Sequence, residues 1–185
     1  NAIVDINSFI STGTFRDADY DFHNVAAATK RSKLERKAMM LRMIATLSMH
    51  EKRVKGDAKK LVRNTLQALV EGDNSGNTKI EMEMRNHSDD GQAKGKKIYI
   101  RVDASRFTVT PTKVTGCRQL VDTIVHELNH CTRSVNMSGS NYGNMMDEYI
   151  AWFVGTLARL GREPKGMEMY EIYKKHIAKY SQVTG

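Results

Sequence analysis

The sequence has only two cysteines and no long apolar run. Two cysteines among 185 residues are too few for the disulfide framework of a small secreted domain. Mean hydropathy is −0.52, and no apolar run approaches the roughly 18 residues of a membrane-spanning helix, which excludes an integral membrane protein. The first ten residues contain no basic region followed by an apolar one, so no secretory signal is visible. We therefore expect a soluble protein with no membrane partner.

The two cysteines, Cys117 and Cys131, fall in one predicted helix and are expected to be free thiols. At a rise of about 1.5 Å per residue they lie roughly 21 Å apart along that helix. A disulfide needs Cα atoms within about 7 Å of each other, so the pair cannot form one. Free thiols fit a reducing compartment as the place where the protein works.

Acidic residues are scarce in one part of the chain. The sequence contains 29 Lys and Arg against 21 Asp and Glu, for a formal net charge of +8. Twelve Lys or Arg and three acids fall within residues 30–63, so this segment carries +9 and the rest of the chain −1. Such a segment can be a solvated helix face, or it can bind phosphate backbones or acidic protein surfaces. It contains little aromatic interleaving, so base stacking is not indicated.

Apolar periodicity predicts two helices followed by a small sheet. Helical spacing runs from Phe22 to about His50, Gly56 and Asp57 interrupt it, and it resumes from Ala58 to about Glu71. Apolar and polar residues then alternate over 80–85 and 97–102, which predicts two strands paired as a hairpin. A third short strand is expected at 107–110, where Pro111 ends it.

The helical period returns in the second half of the chain. It covers 115–133 and 145–160, and a last helix runs from a break at Gly161–Pro164 to about Tyr180. Helices, a sheet and further helices make an α+β chain. We expect a single domain over residues 1–185. Its basic, mainly helical part is 1–77, and the small, mostly antiparallel sheet and C-terminal helices occupy 78–185.

The segment at residues 126–130 reads HELNH, an HExxH motif on the third predicted helix. His126 and His130 project from one face about one turn apart, so both imidazoles can bind one Zn²⁺. Glu127 between them can reach a water at the metal. The pattern arises by chance in roughly one chain in a hundred, so it needs independent support.

The helical wheel gives that support. With His126 at 0°, His130 lies at about 40° and Glu127 at about 100°. Five apolar residues fall on the opposite side, between about 120° and 220°: Leu120, Val121, Ile124, Leu128 and Cys131. This arrangement predicts a helix whose back packs in the core and whose front lines a cleft.

The motif resembles the active-site helix of the zincin metallopeptidases, and the resemblance covers residues 115–160 best. A metzincin would continue as HExxHxxGxxH, but Arg133 and Asn136 stand at the Gly and last His positions. Gluzincins take their third ligand from a later helix, often within an ExxA(D/N) sequence, and Glu148 with Ala151 matches that pattern. The resemblance therefore implies a zincin-like fold that is gluzincin-like in its ligands, with Glu148 as the third one.

Asp147 is an alternative third ligand, because Asp147 and Glu148 flank a stripe of small residues at about 50° to either side. Helical phase leaves both open, and Glu148 has the longer reach. Trp152 stands where the family often has an Asp or Asn that orients a ligating histidine, so that role is unassigned. The stripe, which would allow close approach to the HExxH helix, consists of Ala151, Gly155 and Ala158.

The resemblance implies a hydrolytic mechanism in which Glu127 is the catalytic base. A metal-activated water has its pKa lowered toward about 7, and Glu127 accepts its proton and passes it to the leaving amine. Zincins add a Tyr or His donor for the developing oxyanion, for which Tyr142, Tyr149 and His176 are candidates. Their substrates commonly bind as a strand added to a sheet edge, which residues 97–102 are expected to offer.

These features together predict a zinc-dependent endopeptidase that cuts a specific protein substrate. The small size, the free thiols and the lack of a visible leader are similar to compact bacterial metalloprotease effectors and toxins. We expect a monomer, exported by a leaderless route, that acts in the cytosol of a target cell on a substrate with an acidic docking surface. The alternative is a nucleic-acid-binding module that uses residues 30–63, with a structural or fortuitous HExxH.

Overall fold

A computed structural model describes residues 33–70, 80–84, 89–132 and 141–181 of the chain. The described chain combines helices with two small sheets, which agrees with an α+β class. None of the described helices is long and apolar enough to cross a membrane. The part of the first predicted helix that precedes residue 33 lies outside the described residues.

The basic segment forms two helices close to the predicted bounds. Helix α1 spans Lys33–Arg53 and α2 spans Gly56–Val70. Gly56 has a φ of 58° at the corner between them, a conformation that glycine adopts without steric cost. The apolar sides of both helices face the core, where four side chains are 0% exposed: Met39, Met43, Leu47 and Val62.

A three-stranded sheet follows, with the strand order β1-β3-β2. Its strands are β1 (Glu81–Met84), β2 (Gly91–Lys94) and β3 (Lys97–Ile100). β2 and β3 form an antiparallel hairpin around a two-residue turn, in which Gly95 has a φ of 62°. β1 pairs with β3 in parallel.

The predicted hairpin between residues 80–85 and 97–102 is therefore wrong. Both strands are present, but they run parallel. The hairpin partner of β3 is β2, which lies between the two predicted strands, where the sequence pattern predicts no strand. Ala93 is the apolar residue of β2, so this strand shows no alternating apolar pattern in the sequence. β2 lies at an edge of the sheet. Because β3 is paired on both sides, the expectation that 97–102 offers a free edge is also wrong. The edge strands of this sheet are β1 and β2, and β2 borders the cleft described below.

A separate antiparallel pair joins β4 (Thr108–Val109) to β5 (Val114–Thr115). The strand predicted at 107–110 is confirmed in β4, although it belongs to this second sheet. Gly116 then turns the chain into the next helix with a φ of 70°. A Cβ added to Gly116 would lie 2.9 Å from the Cα of Phe107, so both the backbone conformation and the close approach require glycine.

Three helices complete the described chain. They are α3 (Cys117–Thr132), α4 (Asn141–Leu160) and α5 (Gly166–Ile172). α5 continues into a π-helical turn at Tyr173–Ile177 and a 3-10 turn at Ala178–Ser181, where the sequence predicts one regular helix. The break predicted after Leu160 is confirmed, and Gly161 with a φ of 76° follows the end of α4.

The two cysteines of α3 are free thiols, as predicted. Cys117 is exposed and Cys131 is buried, and neither forms a disulfide. Burial raises the pKa of the Cys131 thiol to about 12, so this group is not a nucleophile near neutral pH.

Candidate metal centre

Helix α3 carries both histidines of the HExxH motif on the side that faces α4 and β2. The side chains of His126 and His130 are only 10% and 14% exposed, and they lie at the bottom of a cleft. The predicted division of this helix into a buried back and a cleft-lining front is confirmed. Three residues of the back are 0% exposed: Leu120, Val121 and Ile124.

Glu148 of α4 completes a cluster of three side chains that can ligate a metal. Its Oε1 lies 3.2 Å from His130 Nε2, and its Oε2 lies 3.6 Å from His126 Nε2. The two Nε2 atoms are 3.2 Å apart. Tetrahedral ligands at about 2.0–2.1 Å from a zinc ion lie roughly 3.3 Å from one another. With one ligand atom taken from each residue, the three atoms lie within 4.8 Å of one another, so a single ion could be shared by all three. Two imidazoles and one carboxylate would leave a fourth position for water.

Asp147, the alternative third ligand, lies on the other side of His130. Its Oδ1 is 3.0 Å from His130 Nδ1, where it can accept a hydrogen bond from that nitrogen. A proton held on Nδ1 leaves Nε2 free to bind a cation, and the hydrogen bond fixes the orientation of the ring. Asp147 thus supplies the orienting carboxylate that the sequence left unassigned, and Glu148 is the acid that faces both Nε2 atoms.

The stripe of small residues brings α4 against α3 as predicted. Ala151 and Ala158 are 0% exposed. A Cβ added to Gly155 would collide with Asp122 Oδ1 and would lie 3.3 Å from His126 Cβ. Glycine at 155 therefore allows the approach that brings the carboxylate of Glu148, seven residues earlier on α4, to the histidines.

Trp152 packs on the ligand cluster from the side of α4. Its ring contacts His126 edge to face, with centroids 4.8 Å apart and an interplanar angle of 77°. On the other side it stacks on His176, with centroids 4.2 Å apart and an angle of 14°. The indole holds the His126 ring by packing, and it extends the cleft wall to the C-terminal segment.

Glu127 lies against the edge strand at the same cleft. A Cβ added to Gly91 of β2 would lie 2.9 Å from Glu127 Cγ and 3.3 Å from its Oε1, so the missing side chain makes room for this carboxylate. Burial raises the pKa of Glu127 above its ordinary value, and the nearby His126 and His130 offset only part of that rise. A raised pKa suits a group that must accept a proton and later release it.

In the ligand cluster, hydrogen bonds and neighbouring charges outweigh the effect of burial on the pKa values of Glu148 and His130. Burial by itself would raise the pKa of Glu148, but hydrogen bonds with His126 and His130 lower it well below its ordinary value. Burial by itself would lower the pKa of His130, but the hydrogen bond and charge of Glu148, together with the charge of Asp147, raise it. Glu148 is thus ionised, and a cation that binds here takes the place of protons on the histidines.

The cleft has a volume of about 710 Å³ and opens between β2 and the C-terminal segment. Of the three predicted oxyanion donors, His176 lines it. Tyr149 is 38% exposed and is absent from the described residues that line the cleft. The side chain of Tyr142 lies outside the described residues. Tyr180, which sequence reasoning did not single out, lines the cleft beside His176.

Other cleft residues were also missed. Arg106 pairs with Asp90 at 2.8 Å, and Arg159 pairs with the buried Asp122 at 2.8 Å, which ties α4 to α3 beneath His126. Asp122 precedes His126 by four residues, so helical spacing could have placed it on the same face. Nothing local marks Arg106, because it follows the sheet in an irregular segment.

Comparison of the chain with protein-family models, with curated proteins and with solved structures finds no match.

Proposed function

We propose that this protein is a zinc-dependent endopeptidase with a zincin-like, gluzincin-like active site that hydrolyses a specific protein substrate. The observation that carries the proposal is the convergence of His126, His130 and Glu148, with Glu127 beside them at the bottom of a cleft. Two imidazoles, a carboxylate and a neighbouring buried acid are the groups that metal-assisted hydrolysis of an amide requires.

Each residue of the site has a separate role in the proposed hydrolysis. When bound, Zn²⁺ supplies Lewis-acid chemistry that polarises the carbonyl and acidifies a water. Glu127 takes a proton from the attacking water and delivers it to the amine nitrogen of the leaving group. Asp147 keeps the proton of His130 on Nδ1, and Trp152 holds the ring of His126.

The oxyanion that develops at the carbonyl needs a hydrogen-bond donor on the far wall of the cleft. His176 and Tyr180 lie there, and the stack of His176 on Trp152 fixes the imidazole next to the ligand cluster. We assign the donor to one of these two side chains.

The substrate binds along β2 in this proposal. β2 is the edge strand that borders the cleft, and Asp90, Gly91 and Gln92 line the cleft beside Glu127. A peptide added to this edge would present its backbone to the ligand cluster. This edge replaces the one expected at residues 97–102.

We also propose that the protease is of the compact effector or toxin type. Two free thiols and the resemblance to compact effectors and toxins support an enzyme that acts in the cytosol of a target cell. The substrate would then be one protein of that cell, recognised in part through the basic helices α1 and α2.

The test is proteolysis by zinc-loaded protein on an unfolded protein substrate and on a peptide library. Glu127→Gln should reduce kcat by at least about 100-fold while the zinc content stays the same, because the variant loses proton transfer but no ligand. The matched control is Glu163→Gln, which changes an exposed acid outside the cleft and should leave the rate unchanged. Cleavage that survives both chelation and Glu127→Gln would refute the proposal.

A further inference from the structure

The C-terminal segment forms a cleft wall that is basic and aromatic. His176, Lys179 and Tyr180 line the cleft, and their spacing of three and four residues places them on one face of consecutive helical turns. The stack of His176 on Trp152, which contacts His126, makes this wall continuous with the ligand cluster.

Most charges in the cleft are neutralised by neighbours. Asp90 forms an ion pair with Arg106 at 2.8 Å, which neutralises the charges of both side chains. Asp122 pairs with Arg159 at 2.8 Å, and Glu148 faces the two histidines. An ionic group of a substrate gains little from groups that already have a partner of opposite sign.

Lys179 differs from these cations. Within the described part of the chain no carboxylate lies within ion-pair distance of its Nζ, which instead lies 5.1 Å from the centroid of the Tyr180 ring. Lys174, one turn earlier, pairs with Glu171 at 3.1 Å. The charge of Lys179 also reaches the cleft: the pKa of His176 is lowered first by burial and then by cations that include Arg106 and Lys179.

We propose that Lys179 binds a carboxylate of the substrate, namely the side chain of an Asp or Glu close to the scissile bond. The inference rests on the proposed endopeptidase activity and names the residue class that this activity selects. The stacked rings of Trp152 and His176 provide an apolar surface for the methylene groups of such a side chain. Selection is confined to one substrate position, because Arg106, the other Lys or Arg among the described residues that line the cleft, is already paired with Asp90.

The experiment uses a peptide library with amidated C-termini and zinc-loaded full chain. We expect the wild type to prefer Asp or Glu at one position by about threefold to fivefold in kcat/KM, as a solvated ion pair allows. Lys179→Ala should remove the preference, and Lys179→Glu should replace it with a preference for Lys or Arg. Lys174→Ala is the matched control and should keep it. Zinc content and the fluorescence of Trp152 show that each variant is folded and loaded.

The experiment tests the role of Lys179 separately from the endopeptidase activity. No cleavage of any peptide by zinc-loaded wild type would overturn the endopeptidase proposal and this inference with it. Cleavage without acidic preference, or with a preference that Lys179→Ala leaves intact, would overturn the inference alone. A preference seen only in a parallel library with free C-termini would show that the carboxylate is the peptide terminus, which also overturns the side-chain assignment.

Discussion

The geometry of the candidate metal centre depends on Gly155, which is not one of the candidate ligands. Its missing side chain lets α4 approach α3 where Asp122 and His126 lie. Glu148 and Asp147 are on the same helix, so any retreat of α4 moves both acids away from the histidines. Glycine in a helix costs roughly 0.5–1 kcal/mol relative to alanine, and here the close approach offsets that cost.

Gly155→Ala should lower both stability and zinc affinity. The added methyl would collide with Asp122 Oδ1 and lie 2.9 Å from the Asp122 backbone oxygen, and overpacking of this kind costs roughly 1–3 kcal/mol. Urea unfolding and zinc titration measure the two effects. Gly166→Ala serves as the control, because a Cβ there meets nothing within 4 Å. A Gly155→Ala protein as stable as the Gly166→Ala protein would contradict this account.

At the residue scale, the sequence identifies His126, His130 and Glu127 as candidate site residues. It does not decide whether Asp147 or Glu148 faces the Nε2 atoms of the histidines. The HExxH spacing places three functional groups on one helix by local geometry alone. The two acids lie on either side of the small-residue stripe, so their roles depend on how α4 is rotated against α3. That rotation is fixed by contacts such as Gly155 with Asp122, which no periodicity reveals.

At the scale of elements, the start of α5 is held by one carboxylate. Glu168 accepts two hydrogen bonds from Arg162, at 2.8 and 3.1 Å, and one from the backbone N–H of Lys165 at 2.8 Å. α5 leads into the turns that carry His176 and Lys179, so this cap helps to position the cleft wall.

The titration of Glu168 tests that cap. The hydrogen bonds from Arg162, followed by the one from the Lys165 backbone, lower the pKa of Glu168 to about 2. Because the folded pKa lies below the unfolded value of about 4.3, the stabilising contribution is complete above that value and is lost as the pH falls toward 2. Carboxyl NMR shifts should show a midpoint near 2, and Arg162→Gln should raise it. A wild-type midpoint near about 4.3 would show that the cap does not form.

Helices and sheet pairing differ in how far the sequence predicts them. The end of α1 and the bounds of α2 and α3 follow from apolar period and glycine punctuation, which are local. The parallel pairing of β1 with β3 and the edge position of β2 are long-range choices, and Gly91–Lys94 has too little apolar content to mark a strand. The edge strand and the π-helical turn at Tyr173–Ile177, which together border the cleft, were therefore missed.

At the scale of the whole molecule, six of the twelve Lys and Arg residues within 30–63 lie around the corner between α1 and α2. Lys59 and Arg63 pair with Glu51, at 3.7 and 3.0 Å. Four further cations of this corner are exposed: Lys52, Arg53, Lys55 and Lys60. The corner packs against the C-terminal end of α4, where a small cluster joins Val54 to Leu157, whereas Glu148 lies near the other end of that helix.

A basic surface remote from the cleft should change substrate association more than chemistry. We expect Lys52→Glu with Lys55→Glu and Lys60→Glu to lower kcat/KM for the protein substrate at low salt while kcat stays constant. The difference should shrink at about 0.3 M salt, where screening is strong. Equal kinetics at low salt would remove the docking role. Tight binding of duplex DNA, with a log–log salt slope steeper than about −4, would instead favour the nucleic-acid alternative.

The zinc content of the purified protein after equilibrium dialysis shows whether His126, His130 and Glu148 hold one zinc ion. We expect one zinc per wild-type chain, loss of tight binding in Glu148→Ala, and a roughly 10- to 100-fold weaker but measurable affinity in Asp147→Asn. The fluorescence of Trp152, which contacts His126, should follow the titration. Wild-type protein that binds no zinc, or a Glu148→Ala variant that binds it as tightly as wild type, would rule out a zinc site formed by these three residues.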